Sequence, residues 1–143
     1  MANLFFLSIR TPEKDFLESD VEQVIFTAPQ GRLGVMAGHM PMITSVLEGT
    51  AEILIDGEWK VAAVGQGFAE ISYDRVEFYL DIAEWADEID EVRAKEALER
   101  AEHRFHSNLS YAEHIRSQAA MSRALNRLKA IESNVSHHRK GHR

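Results

Sequence analysis

The positions of glycine and proline divide this chain into two parts. Seven of its eight glycines and all three prolines lie at or before Gly67, whereas residues 68–140 contain neither. These residues supply the dihedral angles of tight turns and interrupt regular structure, so a segment without them can form long helices or strands. The sequence therefore predicts a turn-rich β domain first and a helical region after it.

Alternating apolar and polar residues indicate half-buried strands in the first part. Ala51, Ile53 and Ile55 share one face of a strand. Asp56-Gly57 follows directly, and a two-residue Asp-Gly loop predicts a hairpin because glycine tolerates a positive φ. The spacing of the candidate strands is typical of a sandwich. The other candidate strands span residues 4–10, 21–27, 32–36, 43–47, 68–72 and 75–83.

From Glu84 onward the apolar residues recur at helical spacing, which predicts an amphipathic helix. The segment 107–110 interrupts that pattern, and Ser110 has a glutamate three residues later, the spacing of a capping box that begins a second helix. Two helices joined by about four residues pack as an antiparallel hairpin. The predicted domains are a β-sandwich at 1–84, a helical hairpin at 85–132 and a disordered, histidine-rich basic tail at 133–143.

The helices face each other through alanines. Burying an alanine removes much less apolar area from water than burying a leucine, at roughly 25 cal/mol per Å². The hairpin is therefore predicted to be weakly held, which suits either a switch that detaches or a small structural hairpin. The alanines are Ala94, Ala97, Ala101, Ala112, Ala119, Ala120 and Ala124.

Charge and composition exclude several functions. The net charge is −7, and residues 1–84 carry 5 basic against 14 acidic side chains, which argues against nucleic-acid binding by the first domain. The absence of cysteine excludes disulfides and thiolate chemistry. No apolar run approaches the ~20 residues that cross a bilayer, and the N-terminus lacks a signal peptide. The chain is predicted to be soluble, without direct membrane insertion.

Arginines recur with the same spacing on both helices. The first helix carries Arg93, Arg100 and Arg104, and the second carries Arg116, Arg123 and Arg127. Acidic neighbours accompany the first set, which favours a salt-bridged face exposed to solvent. No carboxylate lies between His114 and Ile131, so the second set and Lys129 are predicted to lack local partners. Their anion could be a nucleotide phosphate, an acidic protein surface or solvent alone.

The glycine-rich segment 31–41 does not predict a phosphate loop. Such a loop needs Gly-Lys-Ser/Thr at the start of a helix, whereas here Pro41 and an apolar run follow, so a tight β connection is favoured. His39 has no nucleophile or paired carboxylate beside it in sequence, and no catalytic residue is predicted. No metal site is predicted either, although the tail contains His137, His138 and His142.

Five segments of the chain occur in the order found in one known family. They are Thr11-Pro12-Glu13, Leu33-Gly34-Val35 with Gly38-His39-Met40-Pro41, Gly65-Gln66-Gly67-Phe68, Ile89-Asp90-Glu91-Val92-Arg93-Ala94, and Arg123-Ala124-Leu125-Asn126-Arg127-Leu128. Together they resemble the epsilon chain of bacterial F-type ATP synthase. The resemblance implies an N-terminal β-sandwich of about ten strands, a C-terminal antiparallel two-helix hairpin and a non-catalytic subunit of the central stalk.

The resemblance also implies partners and a place in the cell. The sandwich would bind the gamma subunit and the c-ring through Arg32, His39, Met40, Pro41 and Met42. The hairpin would lie folded on the sandwich or extend along gamma toward the catalytic alpha and beta subunits, opposing ATP hydrolysis there. The arginines implied in that contact are Arg116, Arg123 and Arg127. The chain would couple rotation in a proton-translocating synthase, peripheral at the cytoplasmic face of the cell membrane.

Some members of this family bind ATP on the folded hairpin through an Ile/Leu-Asp-x-x-Arg-Ala motif, which here spans residues 89–94. No cofactor is required, and regulatory ATP is the ligand that the resemblance implies. The alternative function is therefore an ATP-sensing module whose hairpin folds on nucleotide. Arg32 and Ala37 depart from the residues common in the family. The implied nucleotide-binding residues are Glu84, Ile89, Asp90, Arg93, Ala94, Arg100, Arg123 and Arg127.

Overall fold

The computed structural model describes residues 3–140, in which ten strands precede two helices. The strands are β1 (Phe5–Arg10), β2 (Asp15–Val21), β3 (Gln23–Ala28), β4 (Gly31–Met36), β5 (Met42–Val46), β6 (Gly49–Ile55), β7 (Glu58–Val64), β8 (Gly67–Ile71), β9 (Arg75–Leu80) and β10 (Ala83–Trp85). A short 3-10 helix at Ala86–Glu88 leads to α1 (Glu91–Phe105) and α2 (Tyr111–Lys140). The predicted β-sandwich and helical hairpin are confirmed.

The strands form two five-stranded sheets. The first sheet has the order β2-β1-β9-β8-β5, and the second has the order β10-β7-β6-β3-β4. Among the described strands β1 and β9 pair in parallel, and the other pairs are antiparallel. The β6–β7 hairpin turns at Asp56 and Gly57, whose φ angles are 51° and 76°. Both values lie in the left-handed region that this type of turn requires, as the sequence predicts.

The core lies between the inner faces of the two sheets. Phe26 of the second sheet and Phe78 of the first are fully buried and meet edge to face, with ring centroids 4.9 Å apart. Gly67 is the first residue of β8, and the backbone of the neighbouring strand β9 passes very close to its α-carbon. A β-carbon at this position would collide with the carbonyl oxygen of Tyr79. The register of the first sheet therefore depends on glycine at this position.

The helices begin at side-chain caps. The Asp90 carboxylate accepts a hydrogen bond from the backbone N–H of Arg93 (3.1 Å) and caps α1. Ser110 accepts from the N–H of Glu113 (3.3 Å), which confirms the predicted start of the second helix. The helices pack against each other, and α2 also lies on β6 and β7. None of the helices described has the length and apolar character needed to span a membrane.

The predicted disorder of the tail is wrong for residues 133–140, which form the last turns of α2. Composition alone indicated disorder because the segment is polar and basic. In the structure Ser133 and His137 contact Glu52 and Trp59 of the sandwich, and these contacts stabilise the helix beyond residue 132. His142 and the rest of residues 141–143 lie outside the described part of the chain.

Candidate functional site

The candidate site is the interface between α2 and the second sheet. Its apolar part is small, because Ala130 is fully buried against Val61, Ala63 and Ala86, with Ile89 packed beside them. Each of these contacts removes little area from water compared with a leucine pair. The predicted alanine-rich packing therefore extends from the helix–helix contact to the helix–sandwich contact.

An ion pair crosses this interface. Arg127 on α2 donates to Glu84 Oε1 on β10 from two atoms, Nη2 at 2.6 Å and Nε at 3.2 Å. The two side chains are 35% and 30% exposed, so the pair is only partly screened by solvent. Arg127 has no carboxylate partner on its own part of the helix, as predicted, but in this conformation its anion is Glu84 of the same chain and not a phosphate, another protein or solvent alone. The sequence reasoning considered carboxylates on the same helix, whereas Glu84 belongs to the sandwich.

Polar contacts on either side of the ion pair fix the position of α2. The Asn126 side-chain amide donates to the carbonyl oxygens of Gly49 (2.9 Å) and Val64 (3.2 Å), which lie opposite each other on β6 and β7. The Ser122 hydroxyl donates to Glu48 Oε1 (2.8 Å). One asparagine thus holds the helix to two strands. Sequence reasoning missed its role, although its place inside the Arg-Ala-Leu-Asn-Arg-Leu segment was a signal.

Glu84, Arg123 and Arg127 line one crevice between α2 and the sandwich. The crevice has a volume of about 20 Å³, enough for little more than one water molecule. Ligand pockets for nucleotide-sized molecules are at least ten times larger. These three predicted residues therefore meet at a closed contact in the described conformation.

The other predicted nucleotide-binding residues lie on or near α1. Asp90 caps the helix, Ala94 is buried, and Ile89 belongs to the apolar contact with the sandwich. Arg93 and Arg100 are exposed and do not line the crevice. Among the ion pairs of residues 3–140 none involves Arg93, Arg100, Arg116 or Arg123, so these four guanidinium groups stay available to an external anion.

A second surface lies at the β4–β5 connection. The N–H of Gly38 donates to the carbonyl of Tyr73 (2.8 Å), which joins this connection to the β8–β9 turn. Four large apolar side chains are exposed around it, and we call them the apolar loop patch: Met36, Met40, Ile43 and Tyr73, which are 60%, 70%, 71% and 64% exposed. Exposed apolar clusters are typical of protein–protein contacts.

The predicted partner-contact residues divide between two places. His39 bonds the carbonyl of Met40 through Nδ1 (2.8 Å), and Pro41 follows in the same connection, beside the apolar loop patch. Met42 begins β5, and its half-buried side chain packs against the core of the sandwich. Arg32 lies elsewhere, in a groove beneath α2. Its guanidinium donates to Thr50 O (2.6 Å) and Thr27 Oγ1 (3.1 Å).

A hydrogen-bonded group lies on β9 of the first sheet. Arg75 Nε donates to Glu77 Oε1 (2.8 Å), and the Tyr79 hydroxyl donates to Glu77 Oε2 (3.1 Å). The bond from Arg75 is the main cause that holds the pKa of Glu77 below its usual value. The same carboxylate raises the pKa of Tyr79, because its hydroxyl proton is held in a hydrogen bond. Within residues 3–140, no group of acidic or histidine side chains is arranged to hold a metal ion.

Comparison with known proteins agrees with this architecture. Residues 4–86 match the family described as ATP synthase, Delta/Epsilon chain, beta-sandwich domain, and residues 87–132 match ATP synthase, Delta/Epsilon chain, long alpha-helix domain. The chain belongs to this delta/epsilon family of ATP synthase chains.

Similar proteins include bacterial ATP synthase epsilon chains. That of Caldanaerobacter subterraneus is 42% identical over 130 residues, which cover 90% of this chain and 94% of the relative. That of Ruminiclostridium cellulolyticum is 43% identical over 126 residues, covering 88% and 94%. A chain in the cryo-EM structure of the Euglena gracilis mitochondrial ATP synthase, OSCP/F1/c-ring, superposes with a TM-score of 0.79 at 22% identity, covering 90% of this chain and 81% of that one. Within its family the chain is therefore of the epsilon type, a central-stalk subunit of the F-type ATP synthase. The resemblance stated from sequence is confirmed.

Proposed function

We propose that this chain is a non-catalytic subunit that couples rotation in the synthase and opposes ATP hydrolysis through a mobile helical hairpin. In this proposal the sandwich is the fixed part, bound to the gamma subunit and the c-ring. The hairpin is the moving part, which leaves the sandwich and extends along gamma toward the catalytic alpha and beta subunits. The chain would be peripheral at the cytoplasmic face of the membrane.

The observation that carries this proposal is the composition of the helix–sandwich interface. Its apolar contacts are mainly alanines, and its strongest polar contact is the partly exposed pair between Arg127 and Glu84. Partly exposed ion pairs contribute little because water competes for both charges. A rigid sandwich joined to α2 by contacts of this kind is a two-state element whose helices detach at low free-energy cost.

Detachment would change the charge that the hairpin presents. When α2 leaves the sandwich, Arg127 loses Glu84 and joins Arg116 and Arg123 on one side of the helix. Three guanidinium groups without carboxylates on their own helix favour an acidic protein surface. This supports contact with the catalytic subunits in the extended state.

The apolar loop patch supports the contact with gamma and the c-ring. Its side chains would leave water when a partner covers the β4–β5 connection, and His39, Met40 and Pro41 belong to that connection. Arg32 lies beneath α2, so its accessibility to a partner would depend on the position of the hairpin.

Hydrolysis by the assembled synthase tests the inhibitory part. A chain that ends at Asp90 keeps the sandwich and lacks both helices, and we expect ATP hydrolysis to rise when it replaces the full chain. Arg116→Ala with Arg123→Ala keeps the helices and their docking contacts, and we expect a partial rise. Unchanged hydrolysis with the chain that ends at Asp90 would refute inhibition by the hairpin.

A separate variant tests the stalk contact. Ile43→Asp places a charge in the apolar loop patch at a side chain that is 71% exposed, so the sandwich should keep its fold. We expect weaker retention of the chain in the synthase, measured by co-purification. Ser45→Asp, at an exposed position two residues along the same strand, is the matched control and separates the effect of the patch from that of added charge.

An ATP-sensing hairpin is the second candidate, favoured by the exposed Arg93, Arg100 and Arg123, for which the described residues supply no ion pair. The full chain is titrated with ATP while hydrogen exchange reports on α1 and α2. Protection should rise in the wild type and less in Arg93→Ala and Arg127→Ala. Arg116→Ala is the control, since Arg116 is outside the predicted nucleotide set. No response at millimolar ATP would exclude this candidate.

A further inference from the structure

The last turns of α2 lie against the sandwich, beyond the part of the chain that matches the family. The family match ends at residue 132, and we call residues 133–140 the C-terminal segment. Ser133 Oγ donates to Glu52 Oε1 (3.2 Å), and His137 Nε2 lies 3.3 Å from the same oxygen. Two side chains one helical turn apart thus share one carboxylate of β6.

The imidazole ring of His137 also stacks on an indole. Its ring lies 5.6 Å from the Trp59 ring, centroid to centroid, with 19° between the planes. Trp59 belongs to β7, so His137 contacts two adjacent strands at once. The His137 and Glu52 side chains are only 22% and 20% exposed. The contact is therefore better shielded from water than the ion pair between Arg127 and Glu84.

The next residue provides an internal contrast. His138 is exposed, and its Nδ1 bonds the carbonyl of Asn134 on its own helix (2.9 Å). His137 and His138 are neighbours in α2, but among the described contacts with the sandwich only those of His137 occur. The contrast separates docking of the segment from the general effect of histidine in this helix.

We propose that the C-terminal segment is a clasp that holds α2 on the sandwich and that His137 closes it on Glu52 and Trp59. The clasp acts on the folded state of the isolated chain. It therefore stands whether or not the hairpin inhibits hydrolysis in the complex.

Charged groups surround the contact between His137 and Glu52. Arg32 on β4 lies on the other side of Glu52, with its Nη2 3.8 Å from Glu52 Oε2. Glu52 thus contacts Arg32 through one oxygen and His137 through the other. On α2, Lys129 and Glu132 line the same groove and carry opposite charges.

Trp59 on β7 supplies the second contact of His137. Glu58 and Lys60 flank Trp59 and point to the opposite face of the sheet by strand alternation, and the Lys60 ammonium lies over Trp85, 5.5 Å from that ring's centroid. Trp59 is therefore the side chain of this part of β7 that faces α2.

Hydrogen exchange of the α2 amides in the isolated full chain tests the clasp. Wild type, His137→Ala and His138→Ala are compared with one another at one pH. We expect His137→Ala to accelerate α2 exchange about fivefold, the size of one stacked ring pair. His138→Ala should match the wild type.

A double variant identifies the partner. If the contact with Glu52 carries the effect, His137→Ala should accelerate exchange much less in a Glu52→Gln background. Alanine favours the helix, so α2 should not be lost in the His137 variant. Equal exchange in the His137 and His138 variants would overturn the clasp.

Fluorescence of Trp59 gives an independent measurement. In a Trp85→Phe background Trp59 is the remaining tryptophan, so its emission reports on the ring that stacks on it. We expect His137→Ala to change the emission in this background and His138→Ala to leave it unchanged. Emission that His137→Ala does not change would contradict the stack.

Discussion

The pair formed by Arg127 and Glu84 allows a quantitative test of how α2 is held. We consider Arg127→Gln, Glu84→Gln and the double variant, since glutamine keeps much of the size of either side chain and removes its charge. A double-mutant cycle measures the free energy that belongs to the pair itself. The readout is the free energy of detaching α2, which is smaller than the free energy of unfolding the sandwich.

The magnitude follows from the geometry. Hydrogen bonds to charged groups contribute about 1.5–3 kcal/mol when well shielded, and exposed ion pairs contribute about 0.2–1 kcal/mol. Here two bonds meet one carboxylate oxygen, and the side chains are 35% and 30% exposed. We therefore expect a coupling energy of about 1 kcal/mol, between these limits. That value corresponds to about fivefold faster exchange of the α2 amides.

Hydrogen exchange of the full chain provides the assay, with the strand amides as an internal reference. Arg123→Gln is the matched control, because Arg123 lines the same crevice one turn earlier and has no ion pair among the described residues. The coupling should shrink in concentrated salt, which screens charges. Additive effects of the two single variants, or an equal effect of Arg123→Gln, would refute the reasoning.

Three further predictions concern the sandwich. Ser8→Ala should raise the free energy of unfolding by about 1 kcal/mol in urea titrations, because the buried Ser8 hydroxyl has no protein partner in the described residues; a lower value would contradict this. Gly67→Ala should destabilise by about 3 kcal/mol in thermal melts, since its β-carbon meets the Tyr79 carbonyl; an unchanged melting temperature would refute it. Arg75→Gln removes the main cause of the lowered pKa of Glu77. The variant should therefore be less stable than the wild type at neutral pH, and the difference should vanish as the pH falls through the pKa of Glu77 in the wild type. An equal difference in stability in acid would contradict this reasoning.

Much of the fold could be predicted because its signals are local. The Asp56-Gly57 turn, the alternation in the strands beside it and the capping spacing of Ser110 each involve a few consecutive residues. The family resemblance rests on segments of the same kind. These signals define elements and their order, which is sufficient to predict a sandwich followed by a hairpin.

The contacts of the candidate site are not local and could not be predicted in the same way. Arg127 pairs with Glu84, which lies on a strand much earlier in the sequence, and Asn126 donates to carbonyl groups of two strands. Only the packing of α2 on the sheet decides these partners. The C-terminal segment is a similar case, because composition indicates disorder whereas His137 and Trp59 meet only after folding.

The parallel pairing of β1 with β9 has a consequence for the order of events during synthesis. Phe6 of β1 pairs with Arg75 of β9. The first sheet therefore cannot join β1 to β9 until nearly all of the sandwich sequence has left the ribosome. Contacts between residues so distant in sequence form more slowly than the local contacts of a helical hairpin. The helices follow β10 in the chain and take no part in sheet pairing. We therefore expect the sandwich to be the slow step of maturation, with the hairpin docking onto a surface that exists only once that step is complete.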